Sequence, residues 1–178
     1  LIAEALHEQN IAHIARQIAS RRGGARIVLI SGPSSSGKTT FSRRLAVQLL
    51  ALGLSPFALE LDSYFIDREK TPLDDKGQFN FEALEALDLQ LLGDHLTRLI
   101  SGETVTLPHY DFKAGRQMTG DAVQLTQDQI IILEGIHGLD PRLLPESLSR
   151  RAFRIYGAAL TQLNLDRHNR VSTADTRL

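Results

Sequence analysis

Apolar residues follow two rhythms along this chain. Ile27-Val28-Leu29-Ile30 and Ile130-Ile131-Ile132-Leu133 are short, mostly β-branched runs without alternation, as strands buried on both faces should be. Phe57-Ala58-Leu59-Glu60-Leu61 and Phe153-Arg154-Ile155-Tyr156 read as two further strands. Between them the spacing turns helical. Leu6, Ile11, Ile14, Ala15 and Ile18 predict an amphipathic helix over 1–20. Phe41, Leu45, Leu49 and Leu52 predict a second helix closed by Gly53. Leu84, Leu87, Leu91, Leu92, Leu96 and Leu99 predict a third, stopped at Ser101-Gly102, with His95 packed beside its stripe. Val105 and Leu107, then Val123 and Leu125, alternate with polar neighbours, predicting a hairpin near 104–126 that walls one pocket. Strands separated by helices imply an α/β domain with a parallel core sheet. Residues 157–171 are polar and take no assignment, and 172–178 read as the start of a helix.

The connection after the first strand carries the chemistry. Gly32-Pro33-Ser34-Ser35-Ser36-Gly37-Lys38-Thr39 satisfies G-x-x-x-x-G-K-[ST], and both contexts that make the pattern specific, a strand before and a helix after, are predicted. Glycines let successive backbone N–H groups turn inward on a polyphosphate, and the new helix adds its positive end. The expected cradle for a nucleoside triphosphate is Gly32, Ser34, Ser35, Ser36, Gly37, Lys38, Thr39 and Thr40. Lys38 would reach the terminal phosphates, and the Thr39 hydroxyl would ligate Mg2+. The fold class expected is a three-layer P-loop NTPase fold with a parallel core sheet and a small β-hairpin excursion.

Two acids end predicted strands. Ligands of open α/β sheets sit at the carboxyl ends of the strands, so Asp62 and Glu134 should share a rim with the loop. Asp62 could take the proton of an attacking hydroxyl or hold magnesium, and could equally cap a turn. Glu134 could orient the metal directly or through water. Residues 67–77 read as a surface loop; Asp74-Asp75-Lys76-Gly77 matches the D-x-x-G of GTPases, but no apolar strand leads into it. Pro108-His109-Tyr110-Asp111-Phe112-Lys113 interleaves rings and charges, and could hold a flat base or pack its rings inward. No N-K-x-D guanine-reading motif and no ABC-type signature is present.

Composition narrows the class further. The 178 residues are 42% hydrophobic and 23% charged, enough for one domain with a full core. A net charge of −1 argues against a dedicated nucleic-acid or membrane-surface binder. Zero cysteines excludes a disulfide framework and a thiolate metal site and fits a cytoplasmic protein. The chain starts at Leu1 without methionine. We expect residues 1–25 to be a helix and linker joined to an upstream segment, and residues 26–178 to be one phosphate-loop domain, which the resemblance described next implies is a kinase domain cut before its lid. The expected partner is a small-molecule acceptor, and a homo-oligomer is compatible with the sequence.

The ensemble resembles the uridine kinase and phosphoribulokinase family of phosphate-loop kinases. It is carried by the loop, Leu61-Asp62-Ser63-Tyr64, Asn80-Phe81-Glu82, Pro108-His109-Tyr110-Asp111-Phe112, Leu133-Glu134-Gly135-Ile136 and Asp175-Thr176-Arg177-Leu178, in the family's order. The resemblance implies that Asp62 is the base for a nucleoside 5′-hydroxyl, with ATP as donor. It implies that Thr39, Asp62 and Glu134 hold Mg2+, and that Arg177 leans toward the reacting groups beside Lys38. Tyr64, Phe81, Tyr110, Phe112 and Ile136 would line the acceptor pocket, with Glu82 near the ribose. Two departures stand out. Gly115, flanked by Lys113 and Arg116 nearby, replaces the family's base-reading histidine, and Tyr64-Phe65 reverses the usual Phe-Tyr order. A sugar phosphate or other small alcohol as acceptor, and an ATP-binding pseudokinase, are the alternatives.

Overall fold

The computed structural model describes residues 2–21, 24–33 and 36–157, together with the backbone of a short strand pair, Leu163–Asn164 and Arg170–Val171. Its centre is a parallel sheet of four strands: β1 (Ile27–Ser31), β2 (Ser55–Glu60), β5 (Gln129–Gly135) and β6 (Ala152–Tyr156). Their order across the sheet is β2-β5-β1-β6. The register pairs Ile30 with Glu134 and Glu134 with Glu60, so the carboxyl ends of the three neighbouring strands finish level. That alignment makes the rim on which the loop after β1 and the acid of β5 meet.

Side-chain alternation on the buried strands divides the core in two. Val28 and Ile30 of β1 and Ile130 and Ile132 of β5 join Leu45 and Leu49 of α2 (Lys38–Ala51) on one face. Ile11, Ala15 and Ile18 of α1 (Ile2–Ser20) are buried in that same cluster at 0–1% exposure. The amphipathic helix expected over 1–20 is thus packed as part of a layer, because its apolar stripe has the sheet to cover. Arg44 of α2 reaches Glu8 of α1 at 3.2 Å, an exposed pair that adds little beside the burial. Ile27 and Leu29 with Ile131 and Leu133 point the other way, onto Leu92, Leu96 and Leu99 of α3 (Leu89–Ile100). The three-layer α/β architecture is therefore present, and α4 (Glu146–Ser149) is a single short turn before β6.

Three local expectations are corrected. The third helix begins at Leu89, not Leu84: the Asp88 side chain accepts from the Leu91 N–H at 2.9 Å and caps it, while Leu84–Ala86 form a separate 3-10 turn. Leu84 and Leu87 are buried all the same, which is why their spacing read as helix. Leu52 caps α2 and is 39% exposed rather than inward, since the chain turns at Gly53 with φ 75°. Strand β2 ends at Glu60, and Leu61–Tyr64 turn off the sheet as a 3-10 helix that carries Asp62 over the rim. The hairpin forms as expected from β3 (Thr104–Asp111) and β4 (Arg116–Gln124). No described helix is long and apolar enough to cross a membrane.

Candidate active site

The loop after β1 is shaped by backbone constraints that only glycine meets. At Gly37 the chain takes φ 83°, the left-handed conformation, and α2 begins at the next residue, Lys38. At Gly32 the constraint is space: an added Cβ would lie 2.1 Å from the Gly157 carbonyl oxygen. That carbonyl belongs to the residue after β6, whose N–H donates to the Ser31 carbonyl at 2.8 Å. The Lys38 ammonium donates to the Pro33 carbonyl at 2.7 Å and so holds its charge against the loop. Ser36 donates its backbone N–H to the same carbonyl, and its hydroxyl is buried without a partner. Thr40 lies exposed in the first turn of α2, whereas Ser34 and Ser35 lie outside the described residues.

Across the rim, the Thr39 hydroxyl donates to Glu134 Oε1 at 2.8 Å. The other carboxylate oxygen of Glu134, Oε2, is buried with no hydrogen-bond partner. A buried, unpaired carboxylate oxygen is costly unless something positive or protic is meant to meet it. Thr39 and Glu134 therefore present a hydroxyl and a free carboxylate oxygen side by side, a donor set of the hard oxygen type that Mg2+ takes. Asp62 stands on the 3-10 turn beside them. Burial at the cleft wall pushes its carboxyl above the usual range, and the nearby Glu60 and Glu134 charges push the same way.

Lys38, Asp62 and Glu134 line one cleft of about 410 Å³ with Leu61, Phe65, Phe81, Glu82, Leu87, Gly135, Ile136 and His137. Of the expected acceptor residues, Phe81, Glu82 and Ile136 face this cleft. Tyr110 and Phe112 stand behind it: Tyr110 is 1% exposed, and the two rings pack at 5.0 Å against each other and at 5.6 and 6.2 Å against Phe65. Tyr64 departs from expectation. It is fully buried, with its hydroxyl 3.1 Å from His95 Nδ1, and Phe65 takes the place in the cleft. On a 3-10 turn consecutive side chains diverge, so only one of the two rings can face outward, and the reversed order selects which. Arg177 lies outside the described residues.

Five cleft residues, Leu61, Phe65, Leu87, Gly135 and His137, lay outside the expected site. Phe65 was legible only as the partner of a reversed pair, and His137, whose Nε2 is buried and unpartnered, follows the Glu134-Gly135-Ile136 segment without any spacing signal of its own. The Asp74–Gly77 match is structural: Asp74 Oδ1 accepts from the Lys76 and Gln78 N–H groups at 2.8 Å each and closes a turn.

The sequence profile of the Phosphoribulokinase / Uridine kinase family matches residues 27–148, which takes in the loop, both rim acids and the hairpin. The chain belongs to this family. Among relatives, it is 37% identical over 120 residues to a uridine kinase of Shewanella sp. (strain W3-18-1), covering 66% of this chain and 56% of the relative. A uridine kinase of Halobacterium salinarum is 29% identical over 119 residues, 67% of this chain and 51% of that one. The chain thus spans about half the length of the curated relatives it matches. In fold it is similar to the structure described as "Possible Uridine Kinase" from Bacillus stearothermophilus, with a TM-score of 0.64 at 24% identity over 83% of this chain and 79% of that one. It is also similar to D-glycerate 3-kinase from Cryptococcus neoformans, with a TM-score of 0.54 at 20% identity over 73% and 52%. At these identities the likeness to solved structures concerns the fold.

Proposed function

We propose that this chain carries the phosphoryl-transfer site of an ATP-dependent kinase whose acceptor is a neutral polyhydroxylated molecule of the nucleoside type, phosphorylated at its primary (5′) hydroxyl. The observation that carries this reading is the shared cleft of Lys38, Asp62 and Glu134. ATP supplies the transferable γ-phosphoryl when bound. The loop amides and Lys38 would hold its phosphates, and Thr39 and Glu134, with Asp62, would hold Mg2+ on them. Asp62, which lines the cleft with Lys38 and Glu134, would accept the proton of the attacking hydroxyl. Phosphoryl transfer asks the protein chiefly for alignment and charge neutralisation, which this rim can supply.

The charge of the cleft bears on the acceptor. Among the described residues its walls hold three carboxylates, Asp62, Glu82 and Glu134, and the ammonium of Lys38. Lys113 and Arg116, which would suit a sugar phosphate, are exposed on the hairpin and do not line it. Glu82, the described cleft carboxylate not assigned to Mg2+, can accept from a hydroxyl group and would repel a phosphate, which supports a neutral acceptor over a sugar phosphate. Gly115, at the position of the base-reading histidine, leaves the base itself open. The test is Asp62→Asn assayed against nucleosides, free sugars, polyols and sugar phosphates. A kinase should lose turnover by about a thousandfold or more, on the scale of removing a general base and a metal ligand together, with ATP affinity within about threefold of wild type. Unchanged product formation would remove Asp62 as base, and a wild-type chain that binds ATP but phosphorylates nothing would favour the regulatory pseudokinase.

A further inference from the structure

The tip of the β3–β4 hairpin is gripped from outside by one side chain. Arg68, on the 3-10 turn Arg68–Lys70 that follows the Asp62 segment, donates its backbone N–H to the Gly115 carbonyl at 2.8 Å. Its guanidinium Nη2 donates to the Phe112 carbonyl at 2.5 Å. The same guanidinium lies against Gly115, where an added Cβ would stand 2.9 Å from Arg68 Cζ and 3.0 Å from Nε. Gly115 is buried at φ 67°, a conformation that disfavours any side chain, and an added Cβ could be housed only by displacing the Arg68 side chain. The tip has its own order as well. Asp111 accepts from the Lys113 and Ala114 N–H groups at 2.8 and 3.0 Å through its side chain, and from the Gly115 N–H at 2.7 Å through its carbonyl. A second link ties the base of the turn, from the Gln117 N–H to Asp67 Oδ1 at 3.4 Å.

What the tip carries explains why the grip matters. Phe112 and Tyr110 back the cleft rings: Tyr110 lies 5.6 Å from Phe65 and 6.4 Å from Phe81, and Phe65 and Phe81 line the cleft itself. The hairpin is a two-stranded ribbon outside the main sheet; Val105, Tyr110 and Leu125 anchor its arms in the core, and the exposed turn 112–114 extends past them. We propose that Arg68 is a positioning residue that clamps the hairpin tip and so fixes the aromatic wall of the acceptor side, leaving the ATP side untouched. The proposal rests on the kinase reading for its kinetic consequence, though not for the clamp itself.

The test uses the full chain with Arg68→Met, which keeps the stem packed on Gly115 and removes the charged donor, and Arg68→Lys, which restores a donor. Gly115→Ala attacks the same contact from the other side. Hydrogen exchange of the Lys113, Ala114 and Gly115 amides should quicken at least tenfold in Arg68→Met and Gly115→Ala, while the β1 and β5 amides keep their wild-type rates. For the best acceptor of the panel, KM should rise about tenfold, the size expected for losing one charge-assisted hydrogen bond, with ATP KM within twofold. Arg68→Lys should recover much of both effects, and the two disruptive substitutions together should be no worse than either alone. Unchanged tip exchange overturns the clamp, whatever the activity. Equal rises in both KM values, or exchange that quickens across the sheet as well, mean that Arg68 only stabilises the fold. Faster tip exchange in a chain that phosphorylates no acceptor leaves the clamp standing and removes the kinase reading instead.

Discussion

The two sides of the cleft are built by different means. On the phosphate side, everything is attached to the parallel sheet: β1 feeds the loop, β5 delivers Glu134, and the β6 exit presses on Gly32. Backbone geometry and a close-packed core specify the positions there. On the acceptor side, the walls are a 3-10 turn, a loop and a ribbon held together by ring packing and by Arg68. One side is set by the sheet and its loop, the other by turns and a ribbon that pack on the same core through Tyr64, Phe65, Val105 and Tyr110.

That contrast can be broken from the rigid side first. Gly32→Ala places a methyl group on the Gly157 carbonyl, two backbone segments with no flexible end to yield, and should weaken ATP binding by about a hundredfold or more or prevent folding. Isothermal titration with ATP separates these outcomes when run beside circular dichroism. Wild-type ATP affinity in a folded variant would show that the loop has slack the geometry denies. Glu134→Gln comes next. It preserves shape and the contact with Thr39 but removes the unpaired carboxylate charge, and kcat should fall about a hundredfold with a higher Mg2+ requirement. A Mg2+ titration with the same midpoint as wild type would take Glu134 out of the metal site.

The smallest effect tests the packing beneath the acceptor side. His95 is buried beneath Tyr64, and burial pushes its imidazole below the ordinary value of 6.5, ahead of smaller contributions from neighbouring charges. The unfolded chain therefore takes up this proton first. The stability contribution is complete above about pH 6.5 and is lost as pH falls toward the lower folded-state value. His95→Gln, which keeps a partner for the Tyr64 hydroxyl, should remove that acid limb, a difference of about 2–4 °C in Tm at pH 5 relative to its difference at pH 8. Melting curves with parallel pH dependence would mean that the imidazole is not desolvated.

How much of this was legible without coordinates follows the same division. Strand, loop and helix around Lys38 were readable because unbroken β-branched runs and a glycine-bearing motif are local signals, each satisfied within a few neighbouring residues. The approach of Asp62 and Glu134 to the loop was readable from a rule about strand ends, although 72 positions separate them. The inward turn of Tyr64, the start of α3 at Leu89 and the packing of α1 into the core were not. In each case periodicity reports that a residue is buried and is silent about which neighbour buries it.

The sequence by itself determined the chemistry on offer: a polyphosphate cradle, two acids and a family. Only the tertiary structure decided which rings face the cleft, that Phe65 stands where Tyr64 was expected, and that Arg68 fills the space beside Gly115. The reason is physical. Motifs encode contacts between a ligand and a short stretch of backbone, whereas the acceptor wall depends on packing between segments distant in sequence, which no single segment carries.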